Sequence, residues 1–320
     1  MTTQPLSVGM TAVAPDATPS TSTLAIAAAG LDHVVCGDHV SFFVGAGFDG
    51  LISATHELAT GPSLRAFVAV YLLPLRHPVL VARQLSSVAE RYPGRLTFGV
   101  GVGGEDPHEF EICGVDPRTR GRRMDEALTL LRALLEGEPV THHGEFFDVD
   151  DALILPAPQP AIPIVVGGRS DAALRRAGRV GDGWIGIWNS ARRFEEAIAI
   201  VDDAAVDAGR HNVDWQHAMQ VWCGIGRDPA DGRAAVAPAM EGMYGIPFER
   251  FERYSPCGTP ETIAEFLAPY VEAGCRTFNL IACAGRLDAA VAGAAEIRRL
   301  LNESVHLEPR SASSLRTVVH

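Results

Sequence analysis

Leu64-Arg65-Ala66-Phe67-Val68-Ala69-Val70-Tyr71-Leu72-Leu73-Pro74-Leu75-Arg76-His77-Pro78, resumed after one helix by Leu96-Thr97-Phe98-Gly99-Val100-Gly101-Val102-Gly103-Gly104, decides the fold. Both runs are apolar and rich in β-branched or aromatic residues, as strands covered on both faces are. Between them Val79, Val81, Leu85 and Val88 recur at helical spacing. Pro78 stands in the first turn of that helix, where its missing N–H is tolerated. The unit reads strand, helix, strand. Its two strands end in a proline-bounded loop and in the bare backbone of Val102-Gly103-Gly104, a pairing that suits a mouth holding a flat, phosphorylated ligand.

Working outward, apolar runs of strand length recur over residues 6–13, 33–37, 64–73, 96–102, 162–167, 184–188, 217–225 and 276–283. Amphipathic helices follow them, for example 123–136 with Leu128, Leu131 and Leu135 on one face, and 260–273 behind the Gly258-Thr259 cap. Eight such units predict an α/β fold, a (β/α)8 TIM barrel; a doubly wound sheet is the alternative. Two excursions interrupt the count: residues 142–160 before the fifth strand, and 227–257 after the seventh. The second carries Met240, Met243, Tyr244, Phe248, Phe251 and Tyr254, suited to covering a substrate or to a dimer surface. A single barrel domain is expected over 1–308, with a flexible tail over 309–320.

Composition excludes several function classes. All 27 basic residues are arginine, so a Schiff-base lysine, a pyridoxal-phosphate anchor and a P-loop lysine are impossible. A formal net charge of -12 disfavours nucleic acid as a partner. No run is long and apolar enough to span a bilayer, and the first 64 residues carry no basic residue for a signal peptide. Six cysteines are scattered without CxxC spacing, as thiols of a reducing compartment are. The expectation is a cytoplasmic protein without a membrane partner.

Several motifs fail on their context. Gly99, Gly101 and Gly104 satisfy GxGxxG after a strand, but no second strand ends in an acidic residue about 20 positions later. His56-Glu57 begins like a zincin helix, yet Thr60 stands where the second histidine is required. His142-His143 beside Glu145 lacks a third ligand, so no metal site is expected. The cluster Arg118, Arg120, Arg122 and Arg123 reads as a solvated helix start.

Strand ends survive. Asp38-His39 follows the second strand and projects at the C-terminal mouth, where a carboxylate beside an imidazole suits proton transfer. Gly167-Gly168-Arg169-Ser170 leads from the fifth strand into a helix whose N–H groups and dipole suit a phosphate, with Arg169 adding charge. The bland alternatives are a turn capped by Asp38 and an ordinary helix start capped by Ser170. Arg76 and His77 read as residues that tie their loop down.

At these residues the chain resembles the luciferase-like monooxygenase superfamily, the flavin- or deazaflavin-dependent barrels, along nearly its whole length. The resemblance rests on Gly30-Leu31-Asp32-His33-Val34 through Gly37-Asp38-His39, Leu73 to Pro78, and Gly94-Arg95-Leu96-Thr97-Phe98-Gly99-Val100-Gly101. Further matches are Gly121-Arg122-Arg123-Met124-Asp125-Glu126, Pro163 to Gly168 with Gly181-Asp182-Gly183-Trp184, and Cys257-Gly258-Thr259-Pro260-Glu261.

The resemblance implies a reduced flavin or coenzyme F420 at the mouth, its ring against a bulge in the third strand. In the deazaflavin branch the bulge holds a non-prolyl cis peptide, expected here at Val70-Tyr71. Ring contacts are then expected from Val70, Tyr71, Val102 and Gly103, and phosphate contacts from Gly167, Gly168, Arg169 and Ser170. His39 takes the catalytic place beside Asp38. Some members add a glutamate near the end of the fourth strand, from whose expected place Glu105 is displaced by one residue. The implied activity is F420-dependent hydride transfer to or from a small organic substrate, in a homodimer. The alternatives are an FMN-dependent monooxygenase of the same fold and a non-catalytic flavin-binding module. An aldolase is disfavoured by the absent lysine.

Overall fold

The computed structural model describes residues 6–307 apart from 44 and 46, so the expected tail at 309–320 lies outside the described residues. Eight parallel strands form the barrel: β1 (Ser7–Val13), β2 (His33–Cys36), β3 (Arg65–Leu72), β4 (Leu96–Gly101), β5 (Ile164–Gly167), β6 (Gly183–Ile187), β7 (Ala218–Ile225) and β8 (Thr277–Cys283). Each pairs with its chain neighbours, and β8 pairs with β1, which closes the sheet on itself. All eight expected strands are present within a residue or two of their expected ends.

The helices are α1 (Pro19–Ala28), α2 (Gly50–Thr60), α3 (Pro78–Arg91), α4 (His108–Ile112), α5 (Arg120–Leu134), α6 (Asp171–Val180), α7 (Ala191–Asp207), α8 (Pro229–Tyr244), α9 (Pro260–Glu272) and α10 (Leu287–Leu307). In α3, His77 caps the first turn by accepting from the Val79 N–H, and Val81, Leu85 and Val88 are buried as their spacing requires. The main core lies between sheet and helices; a smaller one of Val35, Phe67, Ala69, Val165, Ile185 and Ala218, with Val70 against it, fills the barrel interior. No described helix is long and apolar enough to cross a membrane.

The first excursion is an antiparallel hairpin of Val140–His143 with Asp148–Ala152. It is pinned by Glu126 of α5, whose carboxylate accepts from the Phe147 N–H at 2.8 Å and pairs with His142 Nε2 at 3.1 Å. His143 lies on the surface beside Asp148. The second excursion is realised as α8 and two short 3-10 turns, Phe248–Arg250 and Glu252–Tyr254. These bring Trp222, Met240, Phe248 and Phe251 into a separate apolar cluster.

Two buried histidines make stability depend on pH. His33 binds Asn279 through Nε2 at 2.7 Å, and His217 accepts from the Trp184 N–H and stacks on Trp215. Burial pushes both imidazoles down to about 4. They stay neutral in the folded chain but regain an ordinary value on unfolding, so below about pH 6.5 the unfolded chain binds more protons. Their contribution is complete above that pH and is lost as the pH falls toward 4. Urea unfolding between about pH 7 and about pH 5 is expected to show a falling free energy. A flat or rising profile would mean that the two imidazoles titrate normally in place.

Candidate active site at the barrel mouth

At the end of β2 the chain turns outward through Asp38 and His39, and the two side chains part company. Asp38, 2% exposed, forms two bonds with Arg76 (2.7 and 2.8 Å) and accepts from the Leu72 N–H (2.8 Å) and the Gly50 N–H (2.9 Å). Burial pushes its carboxyl up, opposed by Arg76 and the two amides. It therefore ties the end of β2 to the end of β3 and the start of α2. The expected Asp38–His39 pair is thus corrected, because both Asp38 oxygens are taken up by Arg76 and the two amides, and His39 finds its carboxylate elsewhere. Arg76 and His77 do tie their loop down.

The partner of His39 is Glu109 on α4, whose Oε2 lies 3.0 Å from Nδ1. Glu109 is 1% exposed, and its Oε1 accepts from the N–H groups of Val40 (2.7 Å) and Ser41 (3.0 Å). A carboxylate cannot donate, so Nδ1 carries a proton, and in the neutral imidazole Nε2 presents a lone pair. Nε2 has no partner among the described residues, and the His39 side chain is 23% exposed at the mouth. Glu105, by contrast, is exposed. Sequence reasoning missed Glu109; the available signal was the Pro107-His108-Glu109-Phe110 turn after the fourth strand, anchored by the fully buried Phe110.

The bulge in β3 is present, and its detail differs from expectation. Val68 pairs with Phe98 and Tyr71 with Val100, so two residues, Ala69 and Val70, oppose Gly99 alone. The cis peptide is Ala69–Val70, not Val70–Tyr71. Pairing with β4 sets the position, and Tyr71 has already rejoined the ladder. Its ring lies in the outer core, 5.2 Å from Phe98 and beneath Arg76, away from the barrel interior. Val70 does face the interior: a Cβ at Gly101 would meet its Cγ2 at 2.5 Å, and one at Gly167 its Cγ1 at 3.0 Å. Val102 is half-buried and Gly103 has a φ of +60°, its α-carbon turned toward Leu72 and Phe110.

The turn after β5 has the expected form. Gly168 has a φ of +131°, which favours glycine, and Ser170 caps α6 by accepting from the Ala173 N–H at 3.3 Å. Arg169 is exposed and lies over Trp188 at 5.4 Å. The indole N–H of Trp188 is buried without a partner among the described residues. A bulge flanked by two glycines, a free helix start with an arginine on it, and a buried donor awaiting an acceptor together fit a flat, phosphorylated group rich in acceptors.

A closed parallel barrel with a histidine–carboxylate pair and a glycine-rich helix start at its C-terminal mouth has the layout of a cofactor-holding (β/α)8 protein. The chain belongs to the luciferase-like monooxygenase family, which matches residues 21–255. An uncharacterized protein of Mycobacterium tuberculosis is 40% identical over 147 residues, covering 46% of this chain and 50% of that one. The chain thus spans about half the length of the first of the curated relatives it matches. The F420-dependent glucose-6-phosphate dehydrogenase of Nakamurella multipartita is 28% identical over 308 residues, covering 86% of this chain and 90% of that one. Among solved structures, an F420-dependent secondary alcohol dehydrogenase in complex with an F420-acetone adduct has a TM-score of 0.82 at 18% identity, covering 93% of this chain and 99% of that one. That likeness shows a shared fold.

Proposed function

We propose that this protein is an oxidoreductase that uses coenzyme F420 to pass a hydride to or from a small organic substrate at the barrel mouth. The observation that carries the reading is the His39–Glu109 pair, which leaves Nε2 of His39 open to the mouth. The F420-dependent relative, matched along most of its length, supports the choice of cofactor. When bound, F420 supplies a two-electron hydride acceptor or donor. Val70, between Gly101 and Gly167, is the side chain that would lie against its ring, with Val102 and Gly103 beside it. Gly167, Gly168 and Ser170 would hold its phosphate on the start of α6, with Arg169 supplying positive charge. Tyr71 has no part in the contact, since its ring is on the far side of the strand.

The proton is the part of the reaction that this chain handles itself. Nε2 of His39 takes it from a substrate hydroxyl or returns it to a carbonyl oxygen, while Glu109 keeps the tautomer correct and stabilises the imidazolium. Asp38 acts at one remove, by fixing the chain on which His39 stands. Calorimetric titration of the purified protein with F420 and with FMN tests the assignment. Saturable binding of F420, tighter than that of FMN, is expected. Preference for FMN would transfer the site to the monooxygenase reading, and no binding of either would end both.

A further inference from the structure

The floor of the barrel, at the opposite end from His39, holds a polar cavity of about 300 Å³, the size of a small ligand site. Residues at the starts of the strands line it: Ser7 of β1, His33 of β2, Arg65 of β3, Thr97 of β4 and Thr277 of β8. Gly9 makes room for the His33 ring, which a Cβ there would overlap. The ring is then fixed at both nitrogens. Asn279 Oδ1, a carbonyl oxygen, accepts from Nε2 at 2.7 Å, so Nδ1 accepts from the Ser7 hydroxyl at 3.2 Å. Burial pushes this imidazole down to about 4, too weak a base to activate Ser7 as a nucleophile. The array is therefore a binding surface and not a hydrolytic triad. Two residues beyond Thr277 on the same face of β8, Asn279 Nδ2 is buried without a partner among the described residues.

Charge of both signs stands unpaired around this cavity. Arg65 Nη2 donates to the Ser7 oxygen at 3.3 Å, and Arg276 Nη1 donates to the Val271 and Cys275 carbonyls at 2.9 Å. Neither guanidinium has a carboxylate partner among the described residues, so each keeps N–H donors free. Asp214, also in the lining, has no ion-pair partner among them either, whereas Asp32, beside His33 in the chain, is taken by Arg298. Asp214 lies just ahead of β7. In the closed ring of eight strands β3 and β7 stand four apart, so Arg65 and Asp214 meet the cavity from opposite sides. Phe67, buried, and Trp215, half-buried and stacked on His217 at 5.2 Å, give it apolar faces. A dianion such as phosphate would meet Asp214, and a neutral ligand would use none of the three charges.

We propose that the floor cavity binds a free α-amino acid with an apolar side chain, as the zwitterion. Arg65 and Arg276 take its carboxylate, Asp214 takes its ammonium group, and Phe67 and Trp215 receive its side chain. Binding here involves no covalent step and is independent of what the mouth holds.

Calorimetric titration of the full chain uses L-phenylalanine, with hydrocinnamate, which lacks the ammonium group, and phenethylamine, which lacks the carboxylate. L-phenylalanine is expected to bind with a Kd below about 1 mM, and each analogue at least about tenfold more weakly. Arg65→Met should weaken L-phenylalanine about tenfold. Asp214→Asn should weaken L-phenylalanine about tenfold yet strengthen hydrocinnamate, a reversal that loss of structure could not produce. Both side chains are exposed, so thermal melts of the two variants should match the wild type. His39→Ala, at the other end of the barrel, should bind L-phenylalanine as the wild type does. No saturable binding of L-phenylalanine, hydrocinnamate bound as tightly, or an unaltered Kd in Arg65→Met or Asp214→Asn would overturn the assignment. Loss of L-phenylalanine binding in His39→Ala would move the ligand to the mouth and overturn the floor site.

Discussion

His39→Ala is expected to lower turnover by roughly 10² to 10⁴, the range for loss of a proton-transfer group, with F420 affinity within a few-fold of wild type. The side chain touches the reacting atoms in the proposed mechanism and makes one polar contact of its own, to Glu109. Its removal therefore subtracts chemistry without undoing the fold, which Asp38 and Arg76 hold from the other side of the turn. Glu109→Gln separates positioning from acid–base work. The amide oxygen can still accept from Val40 and Ser41, but its NH2 would then face Nδ1. That arrangement favours the tautomer with the proton on Nε2, and turnover should fall about tenfold or more, as for other partners that orient a histidine. Both variants are read by single-turnover kinetics alongside calorimetric F420 binding. Turnover near wild type in His39→Ala would reduce His39 to a packing residue against Phe42. A large loss of F420 binding would make it a ring contact instead.

The barrel was legible because its strands are buried on both faces and read as near-continuous apolar runs. Leu96 to Val102 announces β4, and the glycines that interrupt it are positions where Phe67, Val70 and the β3 backbone approach closely. Local chain signals likewise located the glycine turn into α6, whereas the bulge in β3 was expected from the family resemblance. What failed were the relations that depend on pairing across the sheet or on distant loops. The bulge is placed by the register of β3 against β4, so counting back from Pro74 missed the cis bond by one residue. Asp38 and His39 are neighbours in sequence and look like a pair. In space each finds a partner far along the chain, Arg76 for one and Glu109 for the other. Nothing within a window around His39 carries that information. The aromatic cluster around Tyr244 was visible only as a composition bias between residues 227 and 257, because Phe42 and Trp188 join it through tertiary contact alone.

Ser170→Asp is expected to weaken F420 binding about a hundredfold or more while leaving thermal stability at or above that of the wild type. Aspartate caps a helix as well as serine does, so the bond now made to the Ala173 N–H is kept. The new carboxylate, however, stands where the free N–H groups at the start of α6 would face the phosphate. At about 4 Å and an effective dielectric of about 20, two like unit charges repel by about 4 kcal/mol, more than enough for two decades in Kd. Gly168→Asp would be a poorer probe, because at φ +131° its Cβ would lie 2.6 Å from that of Ala173, and strain would mix with charge. Asp171 does not already spoil the site: it is exposed and lies 3.4 Å from Arg193. Ser170→Ala is the complement, expected to cost about 1 kcal/mol of stability through the lost cap and to weaken F420 binding only about tenfold, through the loss of one hydroxyl contact to the phosphate. Equilibrium titration and thermal melts of the two variants together separate charge from capping. A folded Ser170→Asp protein with wild-type affinity would place the phosphate somewhere other than the start of α6.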